Sequence, residues 1–186
     1  MDEWGPLAGL AGTWEGNDGL DVAFHNAKGA VGDTGYLEKV ELKPFGPVDN
    51  GPQSLYGLDY RMAAWRHGEE TMNPFHTEVG YWLWDATDEQ VMRCFMVPRG
   101  AVLIAGATCA ATARSFTLEA APGDACYGIL ENRYLAQAAS TRRYECVIEV
   151  GDDQWTYASD TVVRLKATGD ELHHTDRNTL RRVTQS

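Results

Sequence analysis

Two short stretches of this 186-residue sequence carry side chains that can do chemistry. In Phe75-His76-Thr77-Glu78-Val79-Gly80-Tyr81-Trp82, His76 and Glu78 are separated by one residue. An extended strand sends alternate side chains to the same face, so this imidazole and this carboxylate share a side. Facing an interior, they can bind a polar head group or act as acid and base. At a rim, they form a hydrogen bond that fixes the strand. In His173-His174-Thr175-Asp176 the same alternation puts His174 and Asp176 together, and the carboxylate can orient the ring. The plainer alternative is a polar strand start bonded to loop backbone. Other chemistries are poorly served. Cys94, Cys109, Cys126 and Cys146 are far apart and form no Cys-x-x-Cys pair, the spacing zinc and thioredoxin-type sites use. Cys94 and Cys109 lie in apolar runs, where a thiol is inert. No Ser-His-Asp or Cys-His arrangement and no phosphate-binding glycine loop before a helix can be read.

The net charge of -11 disfavours nucleic acid and anionic membranes, which need a basic surface. No run reaches the 18 or so apolar residues of a membrane span. The acidic start Met1-Asp2-Glu3-Trp4 is followed by no apolar stretch of signal-peptide type. Reduced cysteines and a cytoplasmic location are therefore expected. The length suits a single domain, residues 1–186, with a core from about 7 to 183.

Leu7 to Asp21 is the stretch around which such a domain should be organised. Trp14 is too large to leave exposed among apolar neighbours and should plug a core. Gly12, Gly16 and Gly19 let the strand carrying it bend or approach another segment closely. A short helical turn is expected over residues 1–9, with Pro6 in its first turn. Strands are expected over 11–23, 35–43, 54–66, 75–84, 90–97, 101–109, 115–119, from 144, over 155–165 and from 171 to about 183. His25–Asp33, with Asn26, Gly29 and Gly32, reads as a loop. So does Pro44–Pro52, with three prolines and Gly46, Asn50 and Gly51. Residues 121–141 read as a helical turn or a covering loop. This pattern predicts an all-β fold of roughly ten strands, an antiparallel up-and-down barrel. A barrel that wide is not filled by its own side chains, so an internal ligand cavity is expected.

Three stretches make the chain resemble the nitrobindin-like, fatty-acid-binding-protein-like heme-binding β-barrels of calycin type. Gly12-Thr13-Trp14-Glu15-Gly16-Asn17-Asp18-Gly19 resembles the family's Gly-x-Trp-x-Gly-x-Gly-x-Gly signature, with Asp18 in place of one glycine and the last glycine shifted. His76-Thr77-Glu78-Val79-Gly80-Tyr81 is similar to its His-x-Glu-x-Gly-Tyr strand. His174 to Leu180 is similar to its C-terminal histidine segment. When Asn178-Thr179-Leu180 is set on the family's Ala-Thr-Leu ending, His174 falls one residue early. A one-residue slip turns a side chain to the other face unless a bulge absorbs it.

The resemblance implies heme b bound through His174, with peroxynitrite isomerisation or nitrogen-oxide sensing as the activity. It also implies an arginine of the last strand over Trp14. Arg181 and Arg182 are the candidates, and alternation with Leu180 favours Arg182. The candidate ligand contacts are His174, His76, Glu78, Tyr81, Trp155 and Met92, with Gly12, Trp14, Gly16, Gly19 and Arg182 as the structural signature. Met62, Met92 and Met96 are expected to line the cavity. The alternative to heme is a metal-free carrier of a fatty acid or another apolar or amphipathic molecule. A third reading is an interaction module whose barrel is filled by its own side chains. The expected partner is thus a small hydrophobic or heme-like ligand, not nucleic acid. Monomer and homodimer both stay open.

Overall fold

The computed structural model describes residues 2–25 and 27–184, so Asn26 of the expected loop lies outside it. A 3-10 helix, Asp2–Leu10, leads into β1 (Gly12–His25), β2 (Ala30–Asn50), β3 (Gln53–Arg66), β4 (His76–Asp85), β5 (Gln90–Val97), β6 (Ala101–Thr108), β7 (Ser115–Ala120), β8 (Ile129–Glu131), α1 (Arg133–Ala138), β9 (Ala139–Val150), β10 (Gln154–Leu165) and β11 (Glu171–Arg182). Each strand pairs antiparallel with its neighbours in the order β5-β4-β3-β2-β1-β11-β10-β9-β7-β6, and β5 pairs with β6. That closes a ten-stranded up-and-down barrel and removes its free edges. The short β8 attaches to β6.

Alternation sets the inside. Tyr144, Cys146, Ile148 and Val150 of β9 are buried, as are Phe116, Leu118 and Ala120 of β7, each at every second residue. One end is sealed. Leu7 and Leu10 of the 3-10 helix are fully buried, Trp4 Nε1 donates to the Gly57 carbonyl at 3.0 Å, and Trp14 Nε1 donates to the Leu10 carbonyl at 2.8 Å. Above this seal, Trp14, Trp155 and Trp82 pack edge to face, with ring centres 6.5 and 6.3 Å apart.

Three expected loops are structured. Of His25–Asp33, His25 ends β1 and Ala30 to Asp33 begin β2, paired from Val22 with Asp33 to His25 with Ala30, so the turn is confined to the few residues between. β2 does not end at Pro44 but runs to Asn50, paired with β3 through Asn50 and Gln53, with an irregularity between Phe45 and Val48. Proline removes one donor but not the strand conformation, and a two-stranded ribbon tolerates it where the ladder is interrupted. Residues 121–141 contain β8 and the one-turn α1, capped by Asn132, whose side chain accepts from the Leu135 N–H at 3.0 Å.

The glycine-rich first strand carries the bulge. Its register slips against β2 between Gly16 and Gly19 and against β11 between Glu15 and Leu20. β11 pairs with β10 without a slip from Arg181 to Glu171. The extra residue is absorbed in β1, not β11, so alternation along β11 is unbroken.

Candidate functional site

The end of the barrel opposite the 3-10 helix is where polar inward-facing groups meet solvent. Unbroken alternation puts His174 and Asp176 on the same face of β11 as buried Asn178 and Leu180. His174 lies at the rim with 43% of its side chain exposed, and its Nε2 is 2.6 Å from Asp21 Oδ1. The carboxylate that meets this imidazole therefore comes from β1, not from Asp176 two residues along. The β1 bulge makes Asp21 hard to find in the sequence, because it reverses the parity of every residue after Gly19.

Asp176 belongs to a second chain of contacts. The Tyr36 hydroxyl donates to Asp176 Oδ1. The Tyr36 and Tyr157 hydroxyl oxygens are 2.7 Å apart, and Tyr157 lies 2.8 Å from Glu38 Oε2. Asn178 Nδ2 also donates to that oxygen at 2.9 Å. The path Asp176–Tyr36–Tyr157–Glu38 contains three contacts, but two tyrosines bring only two hydroxyl hydrogens. The third is supplied when one carboxyl is protonated. The electrostatics agree. Burial pushes the Glu38 carboxyl up to about 7, and the Asp176 charge adds to the shift while Asn178 and Tyr157 oppose it. Burial likewise pushes Asp176 up to about 6, with the Tyr36 hydrogen bond opposing.

A third group joins β3, β4, β5 and β9. Arg93 donates to Glu78 Oε2 at 2.5 Å, to Tyr60 Oη at 2.9 Å and to Tyr144 Oη at 2.8 Å. His76 Nε2 lies 3.2 Å from Glu78 Oε1. Burial alone would raise Glu78, but the Arg93 charge, with His76 and Tyr60, outweighs it and holds the carboxyl down to about 2. Burial opposes charge on His76, yet contact with Glu78 raises its pKa on balance. Arg93 also stacks over Trp82 and Phe95 at 5.2 and 4.5 Å. Beneath this network the indole N–H groups of Trp82 and Trp155 have no hydrogen-bond partner among the described residues.

His174, His76 and Glu78 thus stand at or just inside the open end. Trp155 is buried in the tryptophan stack. Tyr81 and Met92 do not reach the interior. Tyr81 is 51% exposed and packs on Phe45 outside the barrel at 5.5 Å. Met92 alternates with buried Val91 and Arg93 and so faces outward, as does Met96, while Met62 faces in and is buried. The inward parity of β5 is odd, so both β5 methionines fall on the other side. The tryptophans and the tyrosine–carboxyl network line the inner face, and solvent reaches it at the rim, where His174 is half-exposed.

The signature residues lie at the sealed end and along β1. The Arg182 guanidinium sits 4.1 Å over the Trp14 ring and donates to the Ala11 and Gly9 carbonyls at 2.8 and 3.1 Å. Gly12 has φ +137°, and a side chain there would run into Arg182. Gly16 and Gly19 leave room for the Asn178 amide and the Tyr36 ring. The residues the sequence reading missed are Asp21, Tyr36, Glu38, Tyr60, Arg93, Tyr144 and Asn178.

All four cysteines are free. Among the described residues no group of three or more His, Cys, Asp or Glu is placed to hold a bare metal ion, and no helix is long and apolar enough to cross a membrane.

The crystal structure of Rv2717c from M. tuberculosis overlays on this chain with a TM-score of 0.63 and 18% identity, covering 96% of this chain and 95% of that one. This likeness shows the fold. The S-type phycobiliprotein lyase CPES from Guillardia theta overlays with a TM-score of 0.45 and 11% identity, covering 96% and 90%. No curated protein shows significant sequence similarity to this chain. Residues 3–182, which span the helical seal, all eleven strands and the His174 rim, match the THAP4-like, heme-binding beta-barrel domain, and the chain belongs to that family.

Proposed function

We propose that this barrel binds heme at its open end, with His174 as the iron donor. The observation that carries the reading is the His174–Asp21 pair on the inward face of the rim. A histidine that ligates a metal almost always has its other ring nitrogen held by a carboxylate or carbonyl, which fixes the tautomer and raises donor strength. Asp21 can do this and leaves the second nitrogen as the donor. Half-exposure at the rim gives a bulky planar group access that the packed centre does not. The donor chemistry of the rim therefore fits heme. Phe75, which packs on Tyr36, and Phe95, which packs on Tyr144, would offer apolar surface. Heme, when bound, supplies a ferric centre at which nitrogen oxides such as peroxynitrite can be held and rearranged. His76, with its raised pKa, would hold a proton at Nδ1 or Nε2 near such a group.

A second reading is a metal-free amphipathic ligand, favoured by the hydroxyl and carboxyl groups that line the interior beneath the rim. The head of that ligand would be uncharged. Arg93 is the buried cation among the described residues and is already paired with Glu78, so no free guanidinium awaits a fatty-acid carboxylate.

The test is titration of purified protein with ferric heme. One-to-one saturation with a shifted Soret band is expected. No saturable shift, together with displacement of a fluorescent apolar probe by neutral amphiphiles, would move the assignment to the second reading.

A further inference from the structure

The interior holds more hydrogen-bond donors than the protein's own acceptors use. Arg93 brings five N–H bonds. Those on its terminal nitrogens go to Glu78, Tyr60 and Tyr144, and toward the Cys146 sulfur at 3.8 Å. The remaining one, on Nε, has no partner among the described residues, and neither have the indole N–H groups of Trp82 and Trp155. All three side chains are buried, with Arg93 7%, Trp82 0% and Trp155 2% exposed. They are also neighbours. Trp82 and Arg93 are register partners on β4 and β5. The Arg93 guanidinium carbon lies 5.2 Å from the centre of the Trp82 ring, and the Trp155 ring centre lies 6.3 Å from it.

Buried donors are almost always paired, and one left bare costs the free energy of its lost hydration. Edge-to-face tryptophans offer an N–H at best a ring face, which is a weak acceptor. The carboxylate oxygens nearby are engaged. Glu78 Oε2 accepts from Arg93 and Tyr60, and its Oε1 meets His76. Glu38 Oε2 accepts from Tyr157 and Asn178. The guest that complements a set of donors alone carries lone pairs and no hydrogens. A water molecule answers a donor but brings two hydrogens that need acceptors of their own.

We propose that Trp82, Trp155 and Arg93 form an internal site for a small monovalent anion of the halide class. The two indole N–H groups and the single guanidinium Nε–H would each donate to it. Size and charge follow from the surroundings. The guanidinium fork that grips a carboxylate is spent on Glu78 and the tyrosines, so one N–H remains, which suits a compact guest. Glu78 offsets much of the Arg93 charge. A doubly charged ion would therefore be left uncompensated in a buried place, whereas a weakly hydrated single charge loses least on entry. The inference is independent of the ligand at the open end, since it uses none of the rim groups.

The test is the nuclear magnetic resonance line width of bromide titrated against the full chain as purified, before heme is added. Ionic strength is held fixed with sodium sulfate. Beside the wild type run Trp82→Phe and Trp155→Phe, which keep a ring and delete the N–H. Trp65→Phe is the control, because the Trp65 N–H is bonded to the Met72 carbonyl on the outside of the barrel. The wild type is expected to broaden the bromide line saturably, with one site per chain, and to gain thermal midpoint when bromide replaces sulfate. Each interior variant is expected to bind about 10- to 100-fold more weakly, and the control to match the wild type. Absence of saturable broadening, which a resident water would give, overturns the proposal. So do interior variants that bind as the wild type does, or a control that weakens with them. If an interior variant does not melt cooperatively, a wild-type crystal soaked in bromide decides. An anomalous peak within hydrogen-bond reach of both indole nitrogens supports the site, and no peak there overturns it.

Discussion

The imidazole of His174 and the carboxylate of Asp21 meet at 2.6 Å where the first and last strands of the barrel join. A one-residue bulge in β1 makes the pairing possible, and closure of the barrel brings residues 153 positions apart in sequence side by side. If Asp21 fixes the ring of an iron donor, Asp21→Ala should weaken heme binding by about 10- to 100-fold without abolishing it. Competition titration against a heme-binding reference protein measures this. An unchanged affinity would remove Asp21 from the site.

The buried pair of Glu78 and Arg93 should be costly to break and cheaper to replace as a whole. Glu78→Gln or Arg93→Met leaves one charge uncompensated inside the barrel, and each should lower unfolding free energy by about 3–5 kcal/mol. The double variant should lose less than the sum of the two. Urea denaturation of the four proteins closes the cycle. Strict additivity would mean that the pair is not coupled.

Glu38 and Asp176 give stability a pH signature. Their folded-state values of about 7 and about 6 lie above the ordinary 4.5 and 3.8, so folding takes up protons. The stability these groups contribute is complete below about pH 4 and is lost as pH rises through about 6 and 7. Glu78, held at about 2, acts in the opposite direction. Its contribution is present above its ordinary 4.5 and is lost as pH falls toward 2. Thermal midpoints should therefore fall between pH 4.5 and 8, and Glu38→Gln should shrink that fall. An identical slope in wild type and variant would contradict the shared proton in the tyrosine–carboxyl network.

At the sealed end, Arg182→Ala removes a cation–π contact and two charge-assisted hydrogen bonds to the Ala11 and Gly9 carbonyls. A loss of about 2–4 kcal/mol is expected, with heme affinity unchanged because the open end is a barrel length away. Chemical denaturation, read beside the heme titration, checks both halves.

The strands and their closure were legible because alternation is a local property. Tyr144, Cys146 and Ile148 show it, and the structure follows it residue for residue. The interior network was legible in principle but was missed. Glu38 shares the parity of Tyr36, Val40 and Leu42, and Arg93 that of Val91 and Phe95. A charged residue in step with apolar ones is the mark of a buried pair. The tyrosine partners come from distant strands, and pairing across a barrel has no local trace. Tyr81 and Met92 failed for the opposite reason, since aromatic and sulfur-containing side chains on both faces of β4 and β5 hide which face is inside. Asp21 was out of reach because the bulge between Gly16 and Gly19 resets the count.

The central claim is that His174 at the open rim donates to heme iron. The most direct measurement compares absorption spectra of heme-loaded wild type, His174→Ala and His76→Ala at matched concentration. The account predicts a Soret band that His174→Ala abolishes or shifts and His76→Ala leaves in place. A His174→Ala spectrum identical to wild type would contradict it.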